Sequence, residues 1–69
     1  MANLYERIKL LRKGKNLKQS EAAELLNISI NSYCRYERGE REPSASVLWQ
    51  MADLFGVSVD YLIGRTDTP

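Results

Sequence analysis

The apolar residues of this chain fall into short blocks of helical period, and each block is followed by a residue suited to ending a helix. Leu4, Ile8 and Leu11 recur at i, i+4 and i+7, and Gly14 follows them. Ala22, Ala23, Leu25 and Leu26 are followed by Asn27; later blocks run into Gly39, Gly56 and Gly64. Spacings of three and four put side chains on one face of a helix. Glycine and asparagine tolerate the left-handed backbone that turns a chain away from a helix end. No alternation of strand type persists anywhere. The pattern predicts a compact all-α fold of five short helices around one core.

The starts are marked as clearly. Asn3, Ser29, Ser44 and Ser58 stand where a side-chain oxygen accepts from first-turn amides. Ile28 with Tyr33, and Val57 with Leu62, have the spacing of a hydrophobic staple. The predicted helices cover about 3–13, 18 or 19 to 26, 30–38, the segment between Ser44 and Gly56, and a short turn after Ser58. Gly14 is expected to supply the left-handed end of the first. Lys18 cannot accept a bond from an amide, so the second helix begins against the usual preference. Residues 1–64 read as one domain and the polar 65–69 as a flexible tail.

Composition excludes more than it selects. With no histidine and one cysteine, Cys34, the chain has no imidazole acid–base pair, no internal disulfide and no structural zinc site. No metal or other cofactor is expected. No apolar run approaches the roughly 20 residues needed to cross a bilayer. The first residues lack a signal-peptide apolar stretch, so the expected location is the cytoplasm. No paired carboxylates or phosphate loop suggest an enzyme. Net charge is only +1, but it is unevenly placed. Residues 1–38 hold eight bases and four acids; residues 39–69 hold two bases and five acids. The basic half suits phosphates and the acidic half does not.

The second and third helices are joined by Asn27, Ile28 and Ser29 alone, with the small Ala23 where they pass closest. Two short helices joined by a tight turn make a helix-turn-helix. On a wheel of the third helix, Tyr33, Tyr36 and Glu37 share the face of Ile28 and turn to the core. Ile30, Asn31, Cys34, Arg35 and Arg38 share the other face. Asparagine reads adenine and arginine reads guanine through paired hydrogen bonds in the major groove. In such docking the N-terminal end of the helix, here Ile30 and Asn31, points deepest.

The stretch from Leu17 to Ser29 resembles the helix-turn-helix of the Cro/CI-type family, also called XRE. The runs Tyr33 to Gly39, Pro43-Ser44 and Leu54 to Gly64 are similar to the rest of that domain, so the likeness covers residues 4–64. It implies a lambda-repressor-like fold and a transcriptional regulator of double-stranded DNA, a repressor rather than an activator. It implies base reading by Ile30, Asn31 and Arg35. For the DNA backbone it implies Gln19, Ser32, Arg41 and Ser44; Lys18 and Arg38 are read as further phosphate contacts. Arg12 and Glu37 match a structural ion pair. Family members usually carry Gly at the position of Asn27, Ser or Thr at Lys18, a polar residue at Ile30, and Val or Ile at Tyr33. The apolar Ile30 is suited to a thymine methyl.

One such helix reads about four or five base pairs, too few for specificity in a genome. Two copies about 34–36 Å apart would read a palindrome, so a homodimer is expected, with Trp49, Leu54, Tyr61 and Ile63 as its surface. Two alternatives remain open at this point. The chain could be an antitoxin or adaptor that uses the fold to bind protein, or the N-terminal part of a longer regulator.

Overall fold

The computed structural model describes residues 3–69, which form five helices and no strand. They are α1 (Leu4–Gly14), α2 (Gln19–Leu26), α3 (Ile30–Arg38), α4 (Ala45–Phe55) and α5 (Val59–Leu62). Asn3, Ser29, Ser44 and Ser58 each accept from the amide three residues on, at 3.0, 3.1, 3.2 and 3.0 Å. At α2 the deficit left by Lys18 is met from the other side. The Glu21 carboxylate reaches back and accepts from the Lys18 amide at 2.8 Å, which is half of a capping box.

All five helices stop by one device. A left-handed residue, Asn16, Asn27, Gly39, Gly56 or Gly64, turns the chain. The next amide then bonds the carbonyl five residues back. Leu17 bonds Arg12 at 3.2 Å, Ile28 bonds Ala23 at 3.0 Å, and Glu40 bonds Arg35 at 3.0 Å. Val57 bonds Ala52 at 3.0 Å and Arg65 bonds Asp60 at 2.8 Å. This pattern satisfies carbonyls that a helix end leaves unpaired. The first stop differs from the sequence expectation: α1 runs through Gly14, and Asn16 (φ 58°) takes the left-handed conformation instead.

The core is formed by Ile8, Ala22, Ala23, Leu26, Tyr33, Tyr36, Met51, Ala52, Phe55 and Leu62, with Leu4, Leu11, Ile28 and Leu48 packed at its edge. Leu25 belongs to the apolar block of α2 yet is exposed, because an eight-residue helix turns only one stripe inward. Two arginines are buried with the core, Arg7 and Arg12. Arg7 lies over the Tyr61 ring, 4.1 Å from its centroid. It donates to the carbonyls of Tyr61 and Thr66 and, at 2.7 Å, to the Asp67 carboxylate. The tail expected to be flexible is thus engaged by α1 at residues 66 and 67.

Candidate nucleic-acid interface

The α2–α3 unit has the tight junction the sequence predicts, with Asn27 left-handed (φ 62°) and Ala23 buried. Along α3 the two faces separate cleanly. Tyr33 and Tyr36 are buried, while Ile30, Asn31, Arg35 and Arg38 are exposed and Ser32 and Cys34 half-buried. Ile30, an apolar side chain at the helix start, leaves 47% of its surface in solvent.

Behind this face a polar network ties α3 to α1 and α2. Arg12 grips Glu37 with two nitrogens, Nε to Oε2 at 2.7 Å and Nη2 to Oε1 at 3.2 Å. Its third nitrogen donates to the Leu17 carbonyl at 2.8 Å. Gln19 donates to Glu37 Oε1 at 3.1 Å and accepts from the Cys34 thiol at 3.4 Å. The Arg12 and Glu37 side chains are 10% and 3% exposed. Burial disfavours the Glu37 charge, but Arg12, the neighbouring Tyr33 hydroxyl and Gln19 together outweigh it and hold the carboxyl below the usual glutamate range. The same bonding raises Arg12 above its ordinary value. The network fixes the Gln19 amide: its nitrogen faces Glu37 and its oxygen faces Cys34. Close to Glu37 and Arg12, the Tyr33 hydroxyl is fully buried with no partner at hydrogen-bond distance. That burial pushes its pKa far above the usual tyrosine value.

The cations around α3 are in different states. Lys18, Arg35 and Arg41 are exposed and take part in none of the three ion pairs among the described residues. Arg38 is exposed but held by Glu40, Nε to Oε2 at 2.9 Å and Nη2 to Oε1 at 3.2 Å. Ser44 is exposed at the start of α4, with its oxygen already accepting from Val47. The residues named for a second copy are not gathered into one patch. Trp49 is 63% exposed, and Leu54 lies about 140° further round the same helix. Part of the Tyr61 ring is covered by Arg7. Ile63 borders a groove with Leu4, Tyr5, Pro43 and Leu48.

Sequence reasoning missed Arg7 and Glu40. Arg7 has no role in the sequence reading, because its carbonyl partners leave no mark in a sequence. For Glu40 the glycine before it was the available signal, since a left-handed turn there folds the chain back toward the helix. No helix among the described residues is long and apolar enough to cross a membrane.

A helix-turn-helix family model matches residues 8–62. The chain is 40% identical over 65 residues to the HTH-type transcriptional regulator ImmR of Bacillus subtilis, covering 94% of this chain and 51% of that protein. It is 40% identical over 65 residues to the cryptic phage CTXphi transcriptional repressor RstR of Vibrio cholerae, covering 94% of this chain and 58% of that protein. The chain therefore spans a little over half the length of these curated relatives. Its fold matches a crystal structure of the P22 c2 repressor protein in complex with a synthetic operator. The TM-score is 0.88 at 26% identity, over 96% of this chain and 100% of that one.

Proposed function

The chain belongs to the helix-turn-helix family, and from that membership we propose that it is a sequence-specific DNA-binding transcriptional regulator, a repressor, that reads a palindromic operator with α3. The observation that carries this reading is the outer face of α3. A solvent-facing amide, a free guanidinium and an apolar side chain stand on a helix whose inner face is locked by Arg12, Glu37 and Gln19. A rigid helix offering side chains of this chemistry fits the major groove.

In this reading Asn31 and Arg35 hydrogen-bond base edges and Ile30 packs on a thymine methyl. Lys18, Gln19, Ser32, Arg41 and Ser44 hold the backbone, helped by the amides at the starts of α2 and α4. Arg12 and Glu37 stay off the DNA and set the angle of α3. The protein acts on DNA in the cytoplasm, as a homodimer at least when bound, and needs no metal or other cofactor. Of the four residues proposed for contact with the second copy, Trp49 and Ile63 are exposed, while Leu54 and Tyr61 are half-buried. The protein catalyses no reaction.

Selection from a random duplex library tests this directly. A two-fold symmetric motif is expected, with information lost at one position per half-site for Arg35→Ala, at about 1–3 kcal/mol. Gln19→Ala should weaken all sequences more evenly. No enrichment at low salt and high protein concentration would overturn the proposal and favour a protein-binding role.

A further inference from the structure

Arg38 and Glu40 are built into the fold as a pair. The left-handed Gly39 (φ 73°) reverses the chain at the end of α3, and the Glu40 amide is fastened to the Arg35 carbonyl at 3.0 Å. That bond holds Glu40 beside the last turn of the helix rather than out in the loop. Its carboxylate then meets the Arg38 guanidinium through two parallel hydrogen bonds, 2.9 and 3.2 Å. This is the fork geometry with which arginine also binds a phosphate. The hydrogen bonds from Arg38 hold the Glu40 carboxyl below its usual range, and the charge of Arg35 adds to the effect.

We propose that Glu40 is a resident stand-in for a DNA phosphate, occupying Arg38 in the free protein and so limiting sequence-independent binding. This rests on the DNA-binding reading above. The side chains are 56% and 54% exposed, and an ion pair in solvent is weak. Glu40 therefore tunes the interface and does not close it. A phosphate that approaches Arg38 must either displace the carboxylate or leave the guanidinium unused, and in both cases fewer counterions are exchanged. Lys18, Arg35 and Arg41 carry no such partner. Because sequence-independent binding depends on phosphate contacts while selected sites also gain base contacts, the restraint falls harder on the former.

A double-mutant cycle tests it: wild type, Glu40→Gln, Arg38→Ala and the double variant, on random-sequence duplex and on the duplex enriched by selection. Affinity is measured by fluorescence anisotropy between 50 and 200 mM salt. Glu40→Gln should steepen the salt slope by about 0.9, one phosphate, which is about a 3.5-fold additional loss across that range. It should tighten binding to random duplex at low salt and lower the ratio of selected to random affinity. Both effects should vanish in the Arg38→Ala background. An unchanged slope overturns the inference. So does an equal gain without Arg38, which would make Glu40 a general negative charge. If wild type binds neither duplex, the DNA-binding reading fails first and this inference with it.

Discussion

Replacing Arg12 with methionine strands a buried carboxylate, and the consequence should be visible in pH dependence. The guanidinium bonds both oxygens of Glu37 and the Leu17 carbonyl. Methionine fills much of the same volume and replaces none of those bonds, so Glu37 keeps only Gln19 and the nearby Tyr33 hydroxyl. Removing one member of such a pair costs about 3–5 kcal/mol. A 69-residue chain holds about 3.5–10 kcal/mol in total, at roughly 0.05–0.15 kcal/mol per residue. The variant should therefore be marginal at pH 7. In the wild type, Glu37 is lowered in the folded state. Its contribution is present above the unfolded glutamate value of about 4.3 and is lost as pH falls through the folded value. In Arg12→Met, burial is opposed only by Gln19 and the neighbouring Tyr33 hydroxyl, and the folded value is expected to lie above the unfolded one. The penalty then grows as pH rises above about 4.3 and shrinks on acidification. Urea denaturation at pH 7, 6 and 5, followed by circular dichroism, should show the variant gaining stability toward pH 5 while the wild type does not. Two parallel curves would refute the stranded-charge explanation.

Three further outcomes follow from single contacts. Tyr33→Phe should be close to neutral, since the cost of a buried hydroxyl with no partner at hydrogen-bond distance, about 1–3 kcal/mol, is offset by its support of the Glu37 carboxylate; a large rise in Tm would mean that the hydroxyl gives Glu37 nothing. Gly39→Ala should destabilise by at least about 1–2 kcal/mol for the left-handed backbone. Its new Cβ would also lie 3.2 Å from Tyr5 Cδ2, and an unchanged thermal midpoint would count against both causes. Arg7→Met should release the chain after α5, so trypsin should cut after Arg65 faster than in the wild type; equal rates would show that the bonds to Thr66 and Asp67 do not restrain it.

The helices were legible in the sequence because their boundaries are local events. A serine cap and a left-handed stop are each decided within about six residues, and a sequence displays both. Even the misplaced stop at Gly14 has a local cause. Gly14 and Asn16 both accept the required conformation, and Leu17 decides between them. Half-buried just beyond Asn16, it must be the residue that returns to the helix end, where its amide finds Arg12. The facing of α3 was legible for the same reason, since a period of 3.6 separates Tyr33 and Tyr36 from Asn31 and Arg35 without knowledge of what they touch.

What each charge does was legible only in part. Arg7 and Arg12 stand five residues apart on one helix and look alike in sequence. One binds backbone carbonyls 54 and 59 residues away and the Asp67 carboxylate, and the other the Glu37 carboxylate 25 residues away and the Leu17 carbonyl. A carbonyl has no sequence signature, and only the Arg12–Glu37 pair could be named in advance, because the family resemblance implies it. Arg35 and Arg38 present the same problem on the exposed face. One turn of helix separates them, and both look like cations offered to phosphate or base. The reversal at Gly39 brings a carboxylate to Arg38 and leaves Arg35 free. The free guanidinium is the one at a proposed base-reading position, and the neutralised one stands where the proposed contacts are to phosphate. In a chain of net charge +1, Arg35 is in the proposed reading left free to read bases and one phosphate contact, Arg38, is restrained, while Lys18 and Arg41 stay unpaired.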